Sequence, residues 1–250
     1  MRDAQDPPVS PDAVPTLLEL VATRLAPHLR DLLEQDKAWP TYLPDDVKEV
    51  VLRCAARARL LTDAVLAQFS GPDLVIVDLA LAGDISEVGL RGLINPRKRG
   101  RPTVGFAGRL DAPDDWEMLA EEKPRLPPPP SCGRVTTLVV DACFRLDGVL
   151  FAHLVSQGLP VLRHLSIAAC FENHDGPEAV RLLSEGVPTL VTLNVSLCPW
   201  MTSAVLRTVQ WQQLAWPRLE RITARECRAL HPDAARDALG SRARWIELVL

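Results

Sequence analysis

Aromatic residues are scarce in this 250-residue chain: one tyrosine, five phenylalanines and six tryptophans make up 5% of it. Its core must therefore be filled with leucine, valine and alanine, which suits many thin layers better than one large globule. No uninterrupted apolar run is long enough to span a bilayer, and the opening MRDAQDPPVSPD lacks the apolar stretch of a secretory signal. Neither sign of charge dominates, with 28 basic against 32 acidic side chains and a net charge of −4, so the chain as a whole advertises no preference for nucleic acid or membrane. There is no CxxC pair, no Gly-rich phosphate loop and no GxSxG. His28, His153, His164, His174 and His231 fall into no metal-ligand or nucleophile spacing; the nearest thing to a paired site, Cys170 with His174, reads as a packing cysteine beside a loop histidine. These absences lead to an expectation of a nuclear or cytoplasmic protein, a monomer by itself, with no catalytic residues, no metal and no cofactor.

What the chain has is repetition. Four times it writes an apolar ladder ending in cysteine: Val135-x-x-Leu138-x-Val140-x-x-Cys143, Leu162-x-x-Leu165-x-Ile167-x-x-Cys170, Leu190-x-x-Leu193-x-Val195-x-x-Cys198 and Leu219-x-x-Ile222-x-Ala224-x-x-Cys227. The cysteines step by 27, 28 and 29 residues, a period that points to a stacked solenoid. Alternate residues of a strand face opposite sides, so Leu138 and Val140 point inward while Thr137, Val139 and Asp141 point out. One unit cannot bury its own apolar face, but stacked neighbours bury it for each other, and cysteine is small and apolar enough to pack at the turn. Short helical patterns lie between the ladders, for example Val149 to Leu154 and Ala204 to Val209. Leu74-x-x-Val77-x-Leu79-x-x-Ala82 is a first, degenerate unit, and Ala243-x-x-Ile246-x-Leu248 is a last partial one whose open edge needs a cover or a partner.

One strand and one helix per unit, closed by cysteine, resembles the cysteine-containing leucine-rich repeats of F-box and ribonuclease-inhibitor-like proteins. The fold expected is α/β: a short leucine-rich-repeat solenoid over 71–250, interrupted by a disordered loop at about 94–132. An all-helical cap precedes it over 13–70, after a disordered start over 1–12.

Within that cap, Leu17, Leu20, Val21, Leu25, Leu29 and Leu32 or Leu33 share one side of a helix running from Val14 or Pro15 to Glu34, kinked or divided at Pro27. Pro44, Asp45 and Asp46 start a second helix, and Leu60 to Phe69 holds a third. The stretch TLLELVATRL, Thr16 to Leu25, is similar to the elongin-binding BC box, with Val21 where that family has cysteine. The following LPDDVKEVVL and LLTDAVLAQF look like the segment joining such boxes to repeats in substrate receptors of cullin ligases. The resemblance implies a non-catalytic substrate-recognition subunit of a cullin-type ubiquitin ligase. Leu17, Leu20, Val21 and Leu25 would engage an elongin-C-like or Skp1-like adaptor, and through it a cullin. Read without the resemblance, the same helices cap the first repeat, and the two readings are compatible.

Between the first and second units the chain runs through Arg97, Lys98, Arg99, Gly100, Arg101 and Pro102, then an acidic stretch carrying Trp116, Met118 and Leu119, then Pro127 to Pro130. Segregated charge and proline predict a flexible loop. Arg99-Gly100-Arg101-Pro102 resembles the AT-hook core, which implies arginines reaching into an A·T minor groove; the same basic cluster would also serve as an import signal or a solvated linker. Two other functions therefore stand beside the ligase reading: a nuclear scaffold tethered to A·T-rich DNA, and a plain repeat scaffold.

The outward positions of successive strands form columns on a concave face expected to recognise a protein partner. One column runs Thr137, His164, Thr192, Arg221; the next runs Val139, Ser166, Asn194, Thr223; a third runs Asp141, Ala168, Ser196, Arg225.

Overall fold

A computed structural model describes residues 16–36, 39–71, 73–94, 132–171, 174–211 and 215–250. The expected disordered start, most of the expected loop and its basic stretch at 97–102 lie outside these residues.

The first helix, α1 (Leu17–Leu25), begins with a reciprocal cap. The Thr16 hydroxyl accepts the Glu19 amide at 3.2 Å, and the Glu19 carboxylate accepts the Thr16 amide at 2.9 Å. Pro27 divides the expected long helix rather than kinking it: a 3-10 turn, Ala26–His28, separates α1 from α2 (Leu29–Gln35). Helix α3 (Asp45–Arg57) follows Pro44, and the short α4 (Asp63–Leu66) is capped by Thr62.

Beyond this helical segment, the described residues form one parallel sheet whose strand order is the chain order. Its strands are β1 (Ile76–Asp78), β2 (Thr137–Val139), β3 (His164–Ser166), β4 (Thr192–Asn194), β5 (Arg221–Thr223) and β6 (Glu247–Val249). Helices α5 (Glu87–Ile94), α6 (Gly148–Gly158), α7 (Asp175–Gly186), α8 (Ser203–Thr208) and α9 (Pro232–Leu239) fall between them. The result is an α/β, solenoid-like stack of strand–helix units. The register aligns Val77, Leu138, Leu165, Leu193, Ile222 and Leu248 in one row. Every ladder residue from Leu74 to Cys227 is buried, and each leucine so buried contributes about 1.5–3 kcal/mol.

The turn that ends each ladder has a common backbone. The residue before the cysteine position lies in the left-handed region: Leu81 (φ 71°), Ala142 (56°), Ala169 (53°), Leu197 (61°) and Glu226 (60°). This conformation costs a residue with a Cβ about 1–2 kcal/mol. It turns the amide toward the next unit: Leu81 donates to the Asp141 carbonyl, Ala142 to Ala168, Ala169 to Ser196 and Leu197 to Arg225, all at 2.8–2.9 Å.

The cysteines reach the other way. Cys143 Sγ donates to the Leu79 carbonyl at 3.4 Å, Cys170 to Val140 at 2.9 Å, Cys198 to Ile167 at 3.4 Å and Cys227 to Val195 at 3.1 Å. Each thiol thus bonds the preceding unit, a directional role that its small size and apolar character alone do not explain. Three aromatic side chains add a further row across units: Phe151 and Phe171 lie 5.4 Å apart between ring centroids, Phe171 and Trp200 6.3 Å.

The β1 end of the sheet is closed by α3. Glu49 Oε1 accepts the main-chain amides of Val75 at 2.6 Å and Ile76 at 3.0 Å, and Asp45 accepts the Asp73 amide at 2.8 Å. Lys48, itself 5% exposed, pairs with Asp45 at 2.5 Å. At the other end Trp245 is exposed beside β6.

Candidate functional site

Two surfaces carry the residues singled out in the sequence. The first is the outer side of α1. Leu17, Leu20 and Val21 are 78%, 50% and 54% exposed, whereas Ala22 is 1% exposed. The sequence reading placed Leu17, Leu20, Val21, Leu25 and Leu29 on one side; the fold divides them. Ala22, Ala26, Leu29 and Leu33 are buried, Leu25 is half-buried against the core, and Leu17, Leu20 and Val21 turn outward.

The reason is the way α1 packs on α3. A close helix pair needs small residues at the contact, and Ala22 provides one. Glu19 pairs with Arg53 of α3 at 2.7 Å. Hydrogen bonds from the Thr16 amide and hydroxyl, with Arg53 and Arg57 nearby, hold the Glu19 carboxyl below the usual range. These contacts fix the rotation of α1 and leave three adjacent aliphatic side chains in water.

The second surface is the outer face of the sheet. Thr137, His164, Thr192 and Arg221 stand in one register row, continued by Ile76 on β1 and Glu247 on β6. Val139, Ser166, Asn194 and Thr223 stand in the next, continued by Asp78 and Val249. The third expected column differs: Asp141, Ala168, Ser196 and Arg225 follow the strand ends, in the turns. There Ala168 and Ser196 are 7% and 8% exposed. The left-handed residue that follows bends the chain inward and covers them.

Hydrogen bonds cross this face from unit to unit. Ser166 Oγ donates to Asp141 Oδ1 at 2.5 Å, and the Ala168 amide donates to the same oxygen at 2.8 Å. Asn194 Nδ2 donates to Ser166 Oγ at 2.8 Å, while Asn194 Oδ1 accepts from the Ser196 hydroxyl and amide at 2.7 and 3.1 Å. Ser196 Oγ in turn accepts the Arg225 amide at 3.1 Å. His164 Nδ1 lies 2.9 Å from Thr192 Oγ1, and Arg221 pairs with Glu247 at 2.7 Å. Burial pushes the Asp141 carboxyl up, against the hydrogen bonds from Ser166 and Ala168; neighbouring Asp78 adds to the rise.

Sequence reasoning missed three exposed apolar side chains in the turns, Leu81, Phe144 and Leu197, which are 42%, 68% and 52% exposed. Their signal is a large apolar residue one place to either side of the ladder's last position, which the strand pattern does not weigh.

The arrangement offers little for chemistry. Burial pushes the thiols of Cys132, Cys143 and Cys198 up to about 11, 12 and 12, and those of Cys170 and Cys227 in the same direction. Such thiols are poor nucleophiles and poor ligands. Cys170 bonds the Val140 carbonyl, and His174 lies 3.3 Å from Asp175. Among the described residues no group of three or more His, Cys, Asp or Glu is placed to hold a metal ion, and no helix is long and apolar enough to cross a membrane. A groove of about 610 Å³ by α2 and α4 is lined by Leu33, Thr62, Val65 and Gln68, with Arg30 and Glu34 paired across 3.1 Å. Compared with protein-family models and with the curated proteins, the chain matches none.

Proposed function

We propose that this chain is a leucine-rich-repeat protein of non-catalytic function, the substrate-recognition subunit of a cullin-type ubiquitin ligase. The sheet face receives the substrate. Helix α1 docks an elongin-C-like or Skp1-like adaptor through Leu17, Leu20 and Val21, with Leu25 supporting them from the half-buried side.

The observation that carries the adaptor half is the outward turn of those three side chains on a helix whose other side is packed. A helix serving only as a cap needs no aliphatic cluster in water. Three neighbouring aliphatic side chains match the apolar groove of a helix-binding partner. The recognition half is supported by a face of small polar side chains at fixed spacing, a surface better suited to a polypeptide than to an enclosed small molecule.

The test uses purified elongin B–C complex and, separately, a purified Skp1-like adaptor, each titrated against the full chain and a Leu17→Asp/Val21→Asp variant. Both positions are exposed, so the variant keeps its fold, which circular dichroism checks. Binding of one adaptor to the parent chain and its loss in the variant are the expected result. Failure of both adaptors to bind the parent chain reduces the helices to a cap and removes the ligase reading.

A further inference from the structure

Charge is distributed unevenly along the sheet face. Strands β1 and β2 bring Asp78 and, in the turn after β2, Asp141; the outward positions of β3 and β4 are His164, Ser166, Thr192 and Asn194; β5 and its turn bring Arg221 and Arg225. Much of this charge is not needed by the fold. Asp78 Oδ1 accepts the Ala80 amide at 3.1 Å, and in the same register row the neutral Asn194 makes the same bond to the Ser196 amide at 3.1 Å. The turn asks for an oxygen there, and an amide supplies it. Among the described residues, the Asp78 carboxylate also pairs loosely with the Arg57 guanidinium, at 3.7 Å.

Asp141 uses one oxygen for both Ser166 and Ala168, bonds that an amide oxygen would also serve. Arg225 is exposed, and it is held to the neighbouring unit by its main-chain amide rather than its guanidinium. Arg221 differs, being paired with Glu247.

We infer that this face takes an extended peptide segment of a protein partner, laid across the strands, with a lysine or arginine at the Asp78–Asp141 end and an aspartate or glutamate at the Arg225 end. The inference rests on the reading of the sheet face as the recognition surface and names the chemistry that surface selects. Three strand spacings separate the unit of Asp141 from that of Arg225, about 14 Å at ~4.8 Å each, which an extended chain covers in about four residues. Between the two ends, the hydroxyls of Ser166 and Thr192 and the amide of Asn194 face a passing main chain without demanding a particular side chain. Opposite charges at the two ends also fix the direction in which the segment lies. A nucleic acid is disfavoured, because its phosphates would meet Asp78 and Asp141 as well as Arg225.

The probe is a displayed library of random dodecapeptides, selected on the full chain and re-measured as free peptides against variants. Asp141→Asn keeps its hydrogen bonds and removes the charge; Arg225→Ala removes the charge at the other end; Thr192→Trp fills the middle of the face. The expected result is enrichment of peptides with a basic and an acidic residue about four apart. Their affinity should fall about fivefold in either charge variant, fall further in Arg225→Glu, and vanish in Thr192→Trp. Peptides lost in Thr192→Trp but indifferent to Asp141→Asn and Arg225→Ala would overturn the charge inference while leaving the face a recognition surface. No enrichment, or binding indifferent to Thr192→Trp, would overturn both.

Discussion

The Glu49 carboxylate accepts the main-chain amide of Val75 at 2.6 Å, from a helix onto the open edge of a strand. The same oxygen takes the Ile76 amide, so one side chain satisfies two donors that would otherwise invite another strand. Helix α3 therefore closes the stack chemically as well as sterically.

Glu49→Ala should cost about 1–2 kcal/mol, because water reaches this half-exposed edge and repays part of the loss, while Glu49→Gln, which keeps an acceptor, should cost less. Denaturant unfolding measures both. The alanine variant should also self-associate with rising concentration, visible in sedimentation. Equal stability of the alanine and parent chains would remove Glu49 from its place as the edge cap.

Asp141 gives a pH signature. Its folded pKa is raised above the ordinary 3.8. A raised pKa means a contribution fully present below the unfolded value and lost as pH rises through the folded one. At pH 7 the ionised carboxylate is therefore a cost. Asp141→Asn should melt higher than the parent at pH 7, and the gap should close below about pH 4. A lower melting temperature at pH 7 would mean that the charge itself supports the turn. A chain that gains stability and loses peptide binding by this one change would separate the two roles of the position.

The buried thiols titrate at the other extreme. Cys132, Cys143 and Cys198 are raised from the ordinary 9.0 to about 11, 12 and 12. The stability they supply is complete below pH 9 and falls as pH climbs from about 9 towards 12. Below that window a thiol reagent should modify Cys54, which is half-exposed, well before the five buried cysteines. Rapid labelling of all six without unfolding would contradict the packing. Cys170→Ser keeps a donor for the Val140 carbonyl, so it should be milder than Cys170→Ala. Thermal melts of the two variants rank them.

Gly176 is fixed by its neighbour. A Cβ there would fall 2.2 Å from the Trp200 ring, which is 4% exposed and pinned by a 2.9 Å bond from its Nε1 to the Cys170 carbonyl. Gly176→Ala should cost about 1–3 kcal/mol by overpacking. Gly83→Ala is the control: its nearest contact would be 3.7 Å from Phe144, and it should be nearly neutral. A thermal melt of each is sufficient.

Much of the sheet was legible in advance because two periods coincide in the chain. Alternation named Leu138 and Val140 as inward, and the recurring cysteine fixed where each ladder ends. The rotation of α1 was not legible. Helical spacing groups Leu17, Leu20, Val21 and Leu25, yet which side packs depends on Ala22 and on the Glu19–Arg53 pair, a contact between residues far apart in sequence. The left-handed turns were hidden because Leu81, Ala142, Ala169, Leu197 and Glu226 carry no glycine to announce them. At Leu81, Ala142, Ala169 and Leu197 the next unit's carbonyl rewards the amide. The burial of Ser196 follows from the same turn.

The strand spacing has a consequence for what can lie across the face. Its strands recur about every 4.8 Å, whereas an extended chain advances about 3.4 Å per residue, so the two scales act as a vernier. They come back into step only after about five strands and seven residues, close to the full width from β1 to β6. A crossing segment would meet the strands in phase near the two edges of the sheet and out of phase between them. If the face takes an extended segment as proposed, selectivity would concentrate towards the outer units, and the middle of the bound segment could vary its side chains with little effect on affinity.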